Sequence, residues 1–188
     1  RVVPAIEAII KQFPEALISI DTFRSEVAKQ AVKAGACMVN DISAGKLDSK
    51  MLETIGALQI PYIMMHMRGT AQTMKSLTEY QNITKEVLFY FSERIAAARA
   101  HNINDIIVDP GFGFAKNTDQ NFELLNHLEL FETLDLPVLA GVSRKSMVYK
   151  TLDVSAKQAL NGTTALHMVA LQKGARILRV HDVKPAKE

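Results

Sequence analysis

One cysteine, Cys37, is the only thiol in 188 residues. An internal disulfide and a C-x-x-C metal or redox motif are thereby excluded. Cys37 sits in the apolar run CMVN with no helix start or cationic neighbour to lower its pKa, so it reads as a small core hydrophobe. No apolar stretch approaches the ~20 residues that span a bilayer. The N-terminal segment lacks the basic, apolar and small-residue series of a signal peptide, so the expectation is a soluble, cytoplasmic protein. Charge of one sign is also missing: 22 basic residues stand against 20 acidic ones, a formal +2. No Lys or Arg block would track a phosphate backbone, which argues against nucleic acid as a partner. Low-complexity segments, linkers, H-x-x-x-H pairs, Walker A loops and G-x-S-x-G elbows do not occur.

What remains is 48% hydrophobic and 22% charged, the composition of one ordinary globular domain. Six short apolar runs each end in a polar cluster: LISID, CMVND, PYIMMH, DIIVDP, PVLAGV leading into SRK, and ARILRVHD. Buried parallel strands read as near-continuous aliphatic runs, so polar groups that recur only at their C-terminal ends need a local reason. Helical spacing is seen over about 2–13, 24–34, 48–57, 82–101, 118–133 and 156–173. Thr118 and the stretch 151–155 offer helix starts, Gly35 and Gly174 stops, and Pro61 and Pro137 open strands. Strand and helix alternate, which demands right-handed crossovers and a parallel sheet. Polar groups at all six strand ends favour loops ringing one mouth, a (β/α)8 TIM barrel, over an open sheet with a single switch point. Six strands cannot close such a barrel, which typically takes about 250 residues. The expectation is one domain over 1–188, without the first two βα units and the last helix.

The clusters carry the chemistry. Asp109, in VDPGFGFAKN, is held extended by Pro110, with Gly111 and Gly113 permitting a tight loop. An ionised carboxylate there suits a ligand with adjacent N–H donors, such as an aminopyrimidine. Asn40 can donate and accept beside it. Only one of Asn40 and Asp41 can point inward, and Asp41 and Ser43 are expected to cap the next helix. Asp21 ends the run LISI and is either paired with an arginine or placed to face developing positive charge. Lys145 lies where a strand turns into a helix at Ser146, and a helix start favours anions. Arg179 and His181 share a strand face by period two. Lys145, Arg179 and His181 together suit a phosphorylated substrate. His66, without two further His or acidic ligands at suitable spacing, reads as structural rather than as a zinc ligand. Met64, Met65 and Met67 could floor a flat ring, although core packing explains them as well.

Taken in order, SIDTFR, VNDIS, MHMRG, DPGFGFAKN, GVSRKSM and RVHDV resemble the strand-end motifs of the dihydropteroate synthase family, from about residue 15 to 184. The resemblance implies condensation of 6-hydroxymethyl-7,8-dihydropterin diphosphate with 4-aminobenzoate, releasing pyrophosphate and giving 7,8-dihydropteroate for folate biosynthesis. By that likeness Asp21, Asn40, Asp109, Lys145 and Arg179 match pterin-pocket positions, with Ile42 and Met65 lining it. Arg179 and His181 match the pyrophosphate side, Phe114 the loop over the aminobenzoate, and Ser146 its carboxylate site. Asp21, Lys145, Arg179 and His181 would carry catalysis. The likeness also implies Mg²⁺, a homodimer and a sulfonamide target.

The family's first-strand Asn-Val-Thr-Pro-Asp-Ser-Phe-Ser motif and second-strand Glu-Ser-Thr-Arg-Pro-Gly loop have no counterpart here. The metal-side asparagine goes with them, so no metal ligand is assigned in this chain and the stretch alone is expected to be inactive. The rivals are a pterin-binding methyltransferase acting on methyltetrahydrofolate, which would not need Lys145, Arg179 and His181 around a diphosphate, and a catalytically silent pterin-binding module.

Overall fold

The computed structural model describes residues 1–70 and 72–188. Six strands follow chain order in one sheet: β1 (Ser19–Asp21), β2 (Met38–Asp41), β3 (Tyr62–Met65), β4 (Ile106–Asp109), β5 (Val138–Ala140) and β6 (Ala175–Leu178). The registers that fix pairing are parallel throughout. Helices α1 (Val2–Gln12), α2 (Ser25–Lys33), α3 (Met51–Leu58), α4 (Ile83–Ala100), α5 (Thr118–Asn126), α6 (Ser146–Tyr149), α7 (Leu160–Gln172) and α8 (Val183–Lys187) alternate with them. By chain contacts two compact units form, 1–65 with 92–107, and 66–91 with 108–188.

In the first unit, β2 pairs with β1 and β3, which places Asp21 opposite Asn40 and Asp41 opposite Met64. Helix α2 buries Ala28 and Ala31, three apart on one face, and its first turn is capped from a distance: Ser25 N donates to Asp48 Oδ2 at 2.7 Å. That bond, with one from Lys50 N, holds the Asp48 carboxyl below its usual range. Gly35 follows α2 at φ +114°, where an added Cβ would stand 3.0 Å from Ile10 Cγ1, so close packing on α1 requires glycine.

Asp41 does not cap a helix. Its fully buried carboxylate accepts from Ser43 N at 2.8 Å, Ser43 Oγ at 2.7 Å, Gly45 N at 2.7 Å and Tyr62 Oη at 2.6 Å, while α3 begins only at Met51. A short polar side chain at a strand end bonds the nearest free backbone N–H groups, and here those belong to the turn. Tyr62→Phe is therefore expected to lower stability by about 1–2 kcal/mol, read as a drop in the urea midpoint at constant slope, because the buried Asp41 Oδ2 keeps Gly45 N but loses the hydroxyl donor.

The second unit is built on an edge-to-face ring series. His66 meets Tyr90 at 4.8 Å, Tyr90 meets Phe91 at 5.4 Å and Phe91 meets Phe131 at 6.1 Å between ring centres. The expected helix over 118–133 stops at Asn126 and continues as a 3-10 segment, Leu128–Leu134, that buries Leu128 and Phe131. Residues three apart share a face in either helix type, so spacing alone could not separate them. Asn117, one residue before the expected start, closes a capping box with Gln120. The span 156–173 divides similarly into a 3-10 turn, Ala156–Gln158, capped by Ser155, and α7. After β6 the chain turns into α8, where the sequence reading places only a strand end.

Candidate active site

In the first unit the register that sets Asp21 opposite Asn40 lets Asn40 Nδ2 donate to Asp21 Oδ2 at 3.0 Å. Asn40 is buried and Asp21 exposed, so the carboxylate is oriented by a neighbour that is itself held in the sheet. Asp21 thus has Asn40 as an amide partner, one the sequence reading did not name. Met65 is fully buried at the end of β3, and Ile42 is half-buried in the turn after β2. Met64 and Met67 are core residues too, and Cys37 is only partly buried, its thiol 3.5 Å from Ile18 O.

In the second unit the decisive group is Asp109. It is completely buried at the end of β4; Oδ1 accepts from Gly111 N at 2.8 Å, and Oδ2 lies 2.8 Å from Arg179 Nη2. The arginine contact is an ion pair without the alignment of a hydrogen bond. Arg179 directly follows β6 and His181 lies two residues further on, so strand periodicity does not place His181. Arg179 N extends the ladder to Ala140 O at 3.0 Å, and its guanidinium lies across Gly141, where a Cβ would come within 2.7 Å of Nη2. His181 is oriented instead by Ser143, whose Oγ stands 2.9 Å from His181 Nδ1 and 3.2 Å from its backbone N.

Lys145 donates to Phe112 O, and its Nζ sits 4.8 Å from the centre of the Phe114 ring, a cation–π arrangement. Burial, with Arg179 nearby, pulls its pKa down to about 8 against the opposing pull of Asp109. The adjoining Arg144 takes a left-handed backbone at φ 50° and grips Asp182 through Nε at 2.7 Å and Nη2 at 2.9 Å, tying the loops after β5 and β6 together. Ser146 opens a helix of only four residues. The dipole of one turn is slight, so anion affinity there would rest on the hydroxyl and nearby N–H groups rather than on a macrodipole.

Two second-unit residues escaped the sequence reading. Lys116 is buried with its Nζ 3.0 Å from each of His66 Nδ1, Gly111 O and Phe114 O, and burial lowers its pKa to about 7. The available signal was a lysine following an apolar, glycine-rich loop that ends on a buried acid. Gly141 was the other, and its signal was a glycine directly after the strand-end run VLA. His66 is the buried structural histidine expected, with Lys116 as partner.

Within each unit the expected residues do gather: Asp21 with Asn40 in the first, and Asp109, Lys145 and Arg179 around the Gly111–Phe114 loop in the second. The second group joins a buried carboxylate to cations, a combination that can read an N–H edge and neutralise an anion. Among the described residues no group of three or more His, Cys, Asp or Glu stands together to hold a metal, and no helix is long and apolar enough to cross a membrane.

Comparison with known proteins gives this arrangement a context. The family model described as pterin binding enzyme matches residues 1–181. Dihydropteroate synthase of Escherichia coli K12 is 40% identical over all of this chain, which covers 67% of that protein. The folic acid synthesis protein fol1 of Pneumocystis carinii is 44% identical over 97% of the chain, which covers 26% of it. Among solved structures, Xanthomonas albilineans dihydropteroate synthase in complex with 7,8-dihydropteroate superposes with a TM-score of 0.91 at 38% identity, over 100% of this chain and 69% of that one. The chain thus spans about two thirds of these bacterial proteins and a quarter of the fungal one. The fold class is the TIM barrel of these neighbours, represented here by six parallel strands.

Proposed function

We propose, from the fact that this chain belongs to the pterin-binding enzyme family and within it to the dihydropteroate synthases, that the protein carrying it makes 7,8-dihydropteroate. The substrates are 6-hydroxymethyl-7,8-dihydropterin diphosphate and 4-aminobenzoate, and pyrophosphate is released. The observation that carries this reading is the buried Asp109 carboxylate paired with Arg179 beside a lysine. A pterin offers the N–H donors that such a carboxylate accepts, and a diphosphate the charge that Arg179 and Lys145 neutralise.

On this reading the C–O bond between the pterin methylene and the diphosphate breaks first, and its electron pair leaves with pyrophosphate. Arg179 and His181 stabilise that charge; with Nδ1 committed to Ser143, His181 can meet a phosphate oxygen through Nε2. Asp21, aligned by Asn40, stabilises the pterin-methyl cation, and Ile42 and Met65 supply apolar walls. The amine of 4-aminobenzoate then forms the C–N bond and loses a proton to water. Phe114 covers the aminobenzoate ring and Ser146 binds its carboxylate. No covalent enzyme intermediate is required, in keeping with the lack of an activated nucleophile motif. The described residues of this chain form no cage for the Mg²⁺ that the family likeness implies, and no step is routed through it. Such an ion is commonly held through substrate phosphates and one or two carboxylates.

The pKa of Lys145, about 8, gives a pH test. If the cation is needed to receive the diphosphate, kcat/KM for the pterin diphosphate in the complete enzyme falls about tenfold per pH unit above that value. Lys145→Arg keeps the charge and should remove the fall. A profile flat to pH 10 in the unsubstituted enzyme would contradict the role of Lys145. A homodimer in the cytoplasm completes the proposal, and Met168 and Leu171, exposed by 58% and 46% on one face of α7, offer it an apolar contact.

A further inference from the structure

The loop after β4 closes one backbone turn of its own, Phe114 N to Gly111 O at 3.0 Å, and side chains fasten the rest. Gly111, Gly113 and Ala115 all take left-handed backbone, at φ 72°, 81° and 51°, and for alanine that conformation is strained. What fixes the loop is a set of side chains that claim its polar backbone atoms one by one. Asp109 Oδ1 accepts from Gly111 N at 2.8 Å, and Asn121 Oδ1 from Gly113 N at 2.7 Å. Tyr80 Oη donates to Ala115 O at 2.9 Å, and Lys145 donates to Phe112 O. Lys116 holds two points of the loop at once, Gly111 O and Phe114 O, and anchors both to His66 at the end of the β3 run.

Burial by itself does not favour such a lysine. Burying an ammonium costs free energy that an apolar side chain of similar size would not incur, and replacing buried ionic groups by apolar ones is often neutral or stabilising. An ammonium has three donors, and Lys116 has three acceptors at 3.0 Å, provided that His66 carries its proton on Nε2. The span closed by these bonds holds Phe112, whose carbonyl receives Lys145, and Phe114, whose ring lies against Lys145 Nζ.

We propose that Lys116 is a positioning residue for the aromatic-amine half of the reaction, its bonds to His66, Gly111 and Phe114 setting the loop that presents Phe114. The inference rests on the condensation proposed above. It assigns recognition of the second substrate to a side chain that does not touch it. Asp109, at the end of β4 just before this loop, is held by the strand and by its contacts with Gly111 N and Arg179, so the pterin site should be spared.

The test is the complete enzyme with Lys116→Met, assayed with both substrates. The expected result is a KM for 4-aminobenzoate raised about tenfold with pterin affinity by titration calorimetry little changed, beside a lowered melting temperature from the acceptors left without a donor. His66→Asn and His66→Leu give an independent arm in case the lysine variant does not fold. Asparagine keeps an acceptor for the amine and should retain the wild-type KM, whereas leucine should raise it. An unchanged KM in Lys116→Met, equal KM in the two His66 variants, or pterin affinity falling in step with KM would overturn the inference. Failure of the unsubstituted enzyme to form dihydropteroate would overturn the parent reading, and this one with it. Normal product formation with an indifferent Lys116→Met overturns this one alone.

Discussion

Asp109→Ala in the complete enzyme is expected to weaken pterin binding by about 2–4 kcal/mol, roughly 30- to 1,000-fold, measured by titration calorimetry. The carboxylate is wholly shielded from water and already carries two partners, Gly111 N and Arg179. Removing it deletes the acceptor for the pterin N–H edge. It also leaves Arg179, Lys145 and Lys116 without a buried anion that opposes their mutual repulsion. Asp109 raises the pKa of both lysines, so its loss should drive Lys145 below about 8 and shift the alkaline limb of kcat/KM to lower pH. Asp109→Asn separates shape from charge. It can still accept from Gly111 N, yet it should lose nearly as much affinity and show the same pH shift. Unchanged pterin affinity in either variant would reject the role.

Arg179→Ala should act on turnover instead. Loss of one preorganised cation at a developing charge commonly costs about 10²–10³ in kcat; the fold should persist, with a melting temperature lowered by the Asp109 carboxylate left without its ion pair. Its placement depends on Gly141: an added methyl would stand 2.7 Å from Nη2. Gly141→Ala should therefore reproduce part of the Arg179→Ala defect with the arginine still present. Wild-type pyrophosphate release from Arg179→Ala would count against its place in catalysis.

Much of the fold was legible because its signal is one-dimensional. Aliphatic runs such as IIVD and YIMM, buried at every position, have no other use than a two-faced parallel strand, and each ended within a residue or two of its polar cluster. The 3-10 segments hid because apolar residues three apart fit two helix types. Long-range capping hid as well: nothing local in KLDSK says that Asp48 will serve Ser25, 23 residues earlier. In the site, Asp109, Asn40 and Lys145 could be read because a polar residue closing an apolar run demands explanation. Period two is not what relates Arg179 to His181, since Arg179 still continues the β6 ladder whereas His181 lies past it, held by Ser143. Lys116 was passed over because a lysine before a helix start looks solvated until the fold buries it.

The most direct measurement is a single-turnover assay of the complete enzyme with 6-hydroxymethyl-7,8-dihydropterin diphosphate and 4-aminobenzoate, following both products by mass. The account predicts one pyrophosphate for each 7,8-dihydropteroate formed, both lowered together by Asp109→Ala at a fixed pterin concentration. Pterin bound but unconverted, or methyl transfer from methyltetrahydrofolate without release of pyrophosphate, would contradict it.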